Sequence, residues 1–187
     1  KNLWIYSFYR FIKIKNKTEI KKQIQDFLIN KNVKGTILVA NEGLNGSLCG
    51  SKAEVSLSLK FIRKLLKIRL INNKINKVDF IPFNKLRIRL KKEIVSLGQK
   101  EVDIIKHKGA YINPKNWDDF IEKNNVSLID VRNTYEISIG QFKNSINPKT
   151  KTFREFPKNF KKMNIKNNQK IAMYCTGGIR CEKASSF

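Results

Sequence analysis

The sequence predicts two successive α/β units: an α+β half ordered β-α-β-β-α-β with one extra strand, then a half built on a parallel sheet. Three observations carry this prediction. Within residues 1–95, short apolar strands are twice followed by apolar residues at helical spacing. Leu86, Ile88 and Leu90 alternate with Arg87, Arg89 and Lys91, the pattern of a strand with one covered face. Past residue 110, two short, mostly apolar runs alternate with helical segments, as buried parallel strands do. With 187 residues, 41% hydrophobic and 12 Phe among them, the chain can bury a sizeable core, which excludes wholesale disorder.

Taken in order, residues 3–12 are a mostly apolar strand. Thr18 is placed to cap a helix in which Ile20, Ile24, Phe27 and Leu28 share a face up to about Asn30. Residues 35–40 (GTILVA) are a short buried strand, and 41–46 (NEGLNG) form a turn leading into a second strand at 47–49. Ser51 caps the next helix, with Val55, Leu59, Ile62, Leu65 and Leu66 on one face. Strands follow at 76–81 and 86–95. That order is the ferredoxin-like, or acylphosphatase-like, plan over residues 1–95. Residues 96–110 read as a polar linker. In the second unit, 111–187, Pro114 opens a helix through Trp117, Phe120 and Ile121. Residues 126–131 are a buried strand ending in charge, 153–163 an aromatic and basic helix, and 170–174 a strand that delivers the chain into Cys175. Sites of parallel sheets lie at the carboxyl ends of strands, where Asp130 and Cys175 both fall. The helix that Cys181 begins is cut short at Phe187, so the second unit reads as incomplete.

The net charge of +24 has two readings. Of the 39 basic residues 31 are Lys, and Lys, Asn and Ile together make 77 of the 187, the mark of an A/T-rich coding sequence that would lay lysine on any tolerant surface. The excess is nevertheless concentrated: residues 1–95 carry 22 basic and 6 acidic side chains, 96–187 carry 17 and 9. A polyphosphate partner favours such a field. No apolar run reaches the roughly 18 residues of a membrane span, and the aromatic opening segment lacks a small-residue cleavage site, so no membrane association is expected. Three cysteines, Cys49, Cys175 and Cys181, are no disulfide framework, and the expected compartment is the reducing cytoplasm. His107 stands alone in the polar connection and no ligand cluster surrounds the cysteines, so no metal site is expected.

The chemistry concentrates in 175–181, Cys-Thr-Gly-Gly-Ile-Arg-Cys. A cysteine directly after a buried strand, then two glycines and an arginine before a helix, makes a loop whose backbone N–H groups turn inward and stabilise a thiolate or an anion attached to it. Thr176, Gly177, Gly178 and Ile179 form the cradle, Arg180 positions the loop or an oxyanion, and Asp130 holds Arg180 or Arg132 beneath it. Cys49 is expected in a strand core.

This loop resembles that of the rhodanese domains, as do Asp130-Val131-Arg132, Glu136 and the stretch 140–147, with Gln141 and Ser145 standing where that superfamily has His and Ala. The resemblance implies that Cys175 can carry a persulfide. The Cys-x4-Arg spacing suits a sulfur-sized group, one residue shorter than the phosphatase loop. With 40–46 (ANEGLNG), 92–95 (KEIV) and the continuation Cys181-Glu182-Lys183-Ala184, the chain as a whole is similar to the bacterial tRNA uridine hydroxylase family. That resemblance implies an acylphosphatase-like domain followed by a partial rhodanese-like domain. It also implies oxygen-dependent conversion of the wobble uridine to 5-hydroxyuridine, with the tRNA anticodon loop as partner, molecular oxygen as co-substrate and no recognisable bound cofactor. Cys175 and Arg180 would then be catalytic, Cys181 would resolve an oxidised or persulfidated Cys175, and Glu42 and Asn45 would line the cleft between the domains. For 41–46 a plain glycine-bearing turn stays open beside that role. Two other functions stay open too: a persulfide-forming sulfurtransferase with an N-terminal docking domain, and a catalytically idle RNA-binding or regulatory protein.

Overall fold

The computed structural model describes residues 2–99, 102–122, 125–166 and 168–187. The chain divides into two compact units, Lys1–Ile94 and Val95–Phe187. Lys100 and Glu101 of the predicted linker lie outside the described residues.

In the first unit, β1 (Leu3–Phe11), α1 (Lys17–Leu28), β2 (Lys34–Ala40), β3 (Gly43–Gly50), α2 (Lys52–Leu65), β4 (Asn72–Val78) and β5 (Leu86–Leu90) follow one another. Five strands form one sheet in the order β4-β1-β3-β2-β5. Neighbours are antiparallel except β2 and β5, which run parallel. Even-numbered β1 side chains Tyr6 and Phe8, with Ile37 and Val39 of β2 and Leu44 and Leu48 of β3, point to one face. There they meet Ile24 and Leu28 of α1 and Val55, Leu59 and Ile62 of α2 in a single core. Each such aliphatic side chain, fully buried, contributes about 1.5–3 kcal/mol.

Local chemistry sets the boundaries. Ser51 caps α2 as predicted, its hydroxyl accepting from Glu54 N–H. For α1 the cap is Asn16 rather than Thr18: its Oδ1 accepts from Glu19 N–H at 3.1 Å, so the helix begins two residues earlier than the hydroxyl suggested. The predicted turn 41–46 is shorter too. Ala40 pairs with Gly43, leaving Asn41 and Glu42 alone as the connection, and 43–46 belong to β3. Gly43 has φ +144°, and a Cβ there would lie 2.1 Å from the carbonyl oxygen of Arg10, so its glycine serves the close approach of β1. β4 starts earlier than predicted, and β5 stops at Leu90 because the ladder with β2 ends at Val39 and Leu90.

In the second unit, α3 (Ile104–His107), α4 (Trp117–Ile121, after a 3-10 turn at Pro114–Asn116), β6 (Val126–Asp130), α5 (Thr134–Ile137), α6 (Phe156–Phe160, after a 3-10 turn at Phe153–Glu155), β7 (Lys170–Tyr174) and α7 (Ile179–Ser186) follow. Among the described residues, β6 and β7 form a parallel pair, and Ile146 bridges to Ile129. Leu97, Ile129, Val131, Phe153, Phe156 and Ala184 make the core. The segment predicted as a polar linker therefore contributes a buried leucine. Lys183 is 1% exposed, its Nζ donating to the carbonyl of Val95 at 2.9 Å. α7 begins at Ile179, two residues before Cys181, because Gly178 supplies the left-handed N-cap.

Candidate active site

β7 ends at Tyr174, and Cys175 opens the loop that α7 closes. Cys175 Sγ accepts from Gly178 N–H at 3.1 Å. Gly178 turns its amide inward with φ +88°, a conformation that side chains resist. Gly177 differs: a Cβ there would meet nothing within 4 Å. Of the two glycines only the second is required by conformation.

The Cys175 thiol is lowered to about 5. The first cause is a hydrogen bond from the Cys181 thiol, followed by the amides of Cys181 and Gly177 and the nearby charge of Arg180, all working against burial. Cys181 is pushed the opposite way, chiefly because it is the donor to Cys175 and is itself buried. The two thiols are coupled, and the opposite directions of their shifts favour the thiolate at Cys175.

Arg180 does not meet Asp130. Its guanidinium grips Glu136 of α5 with two parallel bonds, Nη1 to Oε2 at 2.6 Å and Nη2 to Oε1 at 2.7 Å, and reaches Thr176 Oγ1 at 3.1 Å. The Thr176 hydroxyl donates to the same carboxylate. Glu136 is lowered to about 2, first by Arg180 and then by Thr176 and the Asn133 amide. That contact, Asn133 N–H donating to Glu136 Oε2 at 3.1 Å, stands at the start of α5. Asp130, 0% exposed, takes the second basic residue: Arg132 donates to it through Nε at 2.9 Å and Nη2 at 2.7 Å and also reaches the carbonyl of Gly140. The Tyr174 hydroxyl donates to Asp130 Oδ2 at 2.6 Å, lies 3.0 Å from Ser145 Oγ and accepts from Phe142 N–H. Ser145, which stands where rhodanese domains have Ala, therefore has a defined partner.

Of the predicted site residues, 175–178 form the loop, and Ile179, Arg180 and Cys181 lie on the first turn of α7. Asp130 and Arg132 form the support network beneath the strand ends. Glu42 and Asn45 are engaged elsewhere, with the backbone of Ile94: Glu42 Oε1 accepts from its N–H at 2.7 Å and Asn45 Nδ2 donates to its carbonyl at 3.0 Å. From the sequence, Glu136 enters only within the rhodanese resemblance, without a role, and Tyr174 is passed over, since no local pattern marks it. His107 ends α3, exposed. Among the described residues no group of three His, Cys, Asp or Glu side chains is placed to hold a metal ion, and no helix is long and apolar enough to cross a membrane.

Comparison with known proteins gives this geometry its family. Residues 3–94 match the UPF0176 acylphosphatase like domain and 113–187 the Rhodanese-like domain. The chain is 46% identical over 184 residues to the tRNA uridine(34) hydroxylase of Rickettsia massiliae, covering 98% of this chain and 74% of that protein. It belongs to the tRNA uridine(34) hydroxylase family. The Rickettsia typhi hydroxylase is 48% identical over 187 residues, with 98% and 74% of the two chains covered. The relative from Wolbachia pipientis wMel is 40% identical over 183 residues, with 98% and 66% covered. The two matches, an acylphosphatase like domain followed by a Rhodanese-like one, give this chain the two-part architecture predicted from the order of strands and helices and from the Cys175 loop.

Proposed function

We propose that this chain hydroxylates the wobble uridine of tRNA to 5-hydroxyuridine, with molecular oxygen as co-substrate and Cys175 as the group that meets the base. The observation that carries the reading is the setting of Cys175, at the end of β7 with its Sγ accepting from Gly178 N–H at 3.1 Å and its thiol lowered to about 5, in a chain whose relatives are named tRNA uridine(34) hydroxylases. A thiolate that adds to C6 of a uracil ring makes C5 electron-rich. C5 takes up molecular oxygen as a hydroperoxide, and a dithiol reductant supplies the two electrons that release the outer oxygen as water. Loss of the C5 proton with expulsion of the Cys175 thiolate restores the ring. Arg180, fixed by Glu136 and Thr176, supplies positive charge beside the sulfur. Thr176, Gly177, Gly178 and Ile179 are the substrate-facing cradle, and Cys181 is the proton donor and resolving thiol.

In this reading residues 1–95 are the acylphosphatase-like domain, 96–110 the connection and 111–187 the rhodanese-like domain, the first supplying much of the electrostatic grip. Glu42 and Asn45 act on the substrate through the segment at Ile94 that they hold. The anticodon loop presents its bases already unpaired, so extruding the target uridine costs little. The reaction belongs in the cytoplasm, where tRNA is matured.

Mass analysis of tRNA from cells lacking the gene tests this. The 5-hydroxyuridine derivatives should vanish, return with the wild-type gene and stay absent with Cys175→Ala. Restoration by Cys175→Ala overturns the role of the thiolate. Thiocyanate formation from thiosulfate and cyanide, with wobble uridine untouched, would make the chain a sulfurtransferase instead.

A further inference from the structure

β4 and β5 are consecutive in sequence yet occupy opposite edges of the five-stranded sheet. Residues 79–85 must therefore cross one whole end of that sheet, from Val78 beside Leu3 on β1 to Leu86 beside Gly35 on β2. The crossing stays on the surface. Phe80 is 63% exposed and Ile81 44%, so an aromatic ring and its apolar neighbour stand largely in water. Cations bracket them: Lys77 on one side, Lys85 and Arg87 on the other, all exposed, and among the described residues none of the three is in a salt bridge. The only acid between Lys77 and Arg87 is Asp79.

An exposed ring interleaved with unneutralised cations is the arrangement that takes single-stranded nucleic acid: the ring offers a stacking face to any base, and the cations meet the phosphates to either side. A protein partner would instead be met by an apolar centre depleted of lysine. We propose that the strap 79–85 is an RNA contact, with Phe80 stacking on an unpaired base of the tRNA and Lys85 and Arg87 on its backbone. The proposal rests on the tRNA reading above and adds to it a second place, in the first unit, where the substrate is held.

The test is the affinity of the full chain for an unmodified tRNA transcript, measured across a salt series. Phe80→Ala should weaken binding roughly five- to 150-fold at fixed salt, the range of one base–aromatic stack, while the slope of log affinity against log salt stays unchanged. Phe80→Trp should bind like wild type. Lys85→Gln should lower the slope by about one unit. Phe80 is exposed, so its substitution leaves the core intact. If Phe80→Ala binds within twofold of wild type, the strap is no RNA contact and its ring is left as a protein-facing surface. If the wild-type chain itself fails to bind the transcript, it is the tRNA reading that falls.

Discussion

Arg180 and Glu136 lie 44 residues apart in sequence and face each other through two parallel hydrogen bonds of 2.6 and 2.7 Å, with Thr176 on the same carboxylate. The pair fastens the loop at 175–180 to α5, and the position of the charge beside Cys175 depends on it.

Breaking this pair should therefore be felt in stability and in pH dependence. Glu136 is depressed to about 2 when folded, against an ordinary value near 4.5. Its contribution is fully present above pH 4.5 and lost as the pH falls toward 2. Thermal unfolding of the wild type should lose stability across that window. Glu136→Gln should start lower by about 1.5–3 kcal/mol and lack this part of the acid dependence. An acid limb identical in the two proteins would show that the ion pair is not linked to folding.

Reactivity separates the two loop cysteines. The thiolate of Cys175 grows in as the pH rises through about 5, so its alkylation rate by iodoacetamide should plateau by about pH 6 while Cys181 stays unlabelled. Cys181→Ala removes the thiol donor and should move the midpoint upward, toward the roughly 8.5 of an ordinary cysteine. Cys175→Ser should abolish uridine hydroxylation, whereas Cys181→Ser should leave part of it. Labelling of Cys181 ahead of Cys175, read by peptide mass mapping, would reverse the assignment.

The glycines make a contrast within one loop. Gly178→Ala forces a side chain to φ +88° and should cost about 1–2 kcal/mol and slow Cys175 alkylation, because the inward amide is lost. Gly177→Ala meets open space and should leave unfolding nearly unchanged. Equal effects on chemical denaturation would contradict this division.

Tyr174→Phe removes one hydroxyl that serves buried Asp130, Ser145 and the amide of Phe142. A loss of about 1–3 kcal/mol in urea unfolding is expected, since it leaves Asp130 one donor short. A neutral result would mean that water replaces the hydroxyl.

Much of this was readable in the chain. Ser51 capped the helix it was expected to cap, and the apolar run before Cys175 placed that residue at a strand end, although only Ala172 of the strand is buried. What escaped was set by distant partners. Thr18 and Asn16 are both competent caps, and only the geometry of Glu19 N–H chose between them. The glycine of 43 suggested a turn, yet it answers the backbone of Arg10, which no local pattern displays. Asp130 was assigned to either of two arginines; Arg132 won because it lies two residues away on the same strand end, while Arg180 was taken by a carboxylate from α5.

The placement of β4 and β5 also bears on how the first unit is made. β4 closes the free side of β1 and β5 the free side of β2, and both come last in the unit's sequence. As the chain leaves the ribosome, the three inner strands would stand with two open edges until residue 90 has emerged. Each open edge is a template for pairing with another nascent chain, and the closing contacts, Leu3 with Val78 and Gly35 with Leu86, span long stretches of sequence. The nascent first unit is thus most exposed to aggregation while its inner strands are complete and its edge strands are still being synthesised.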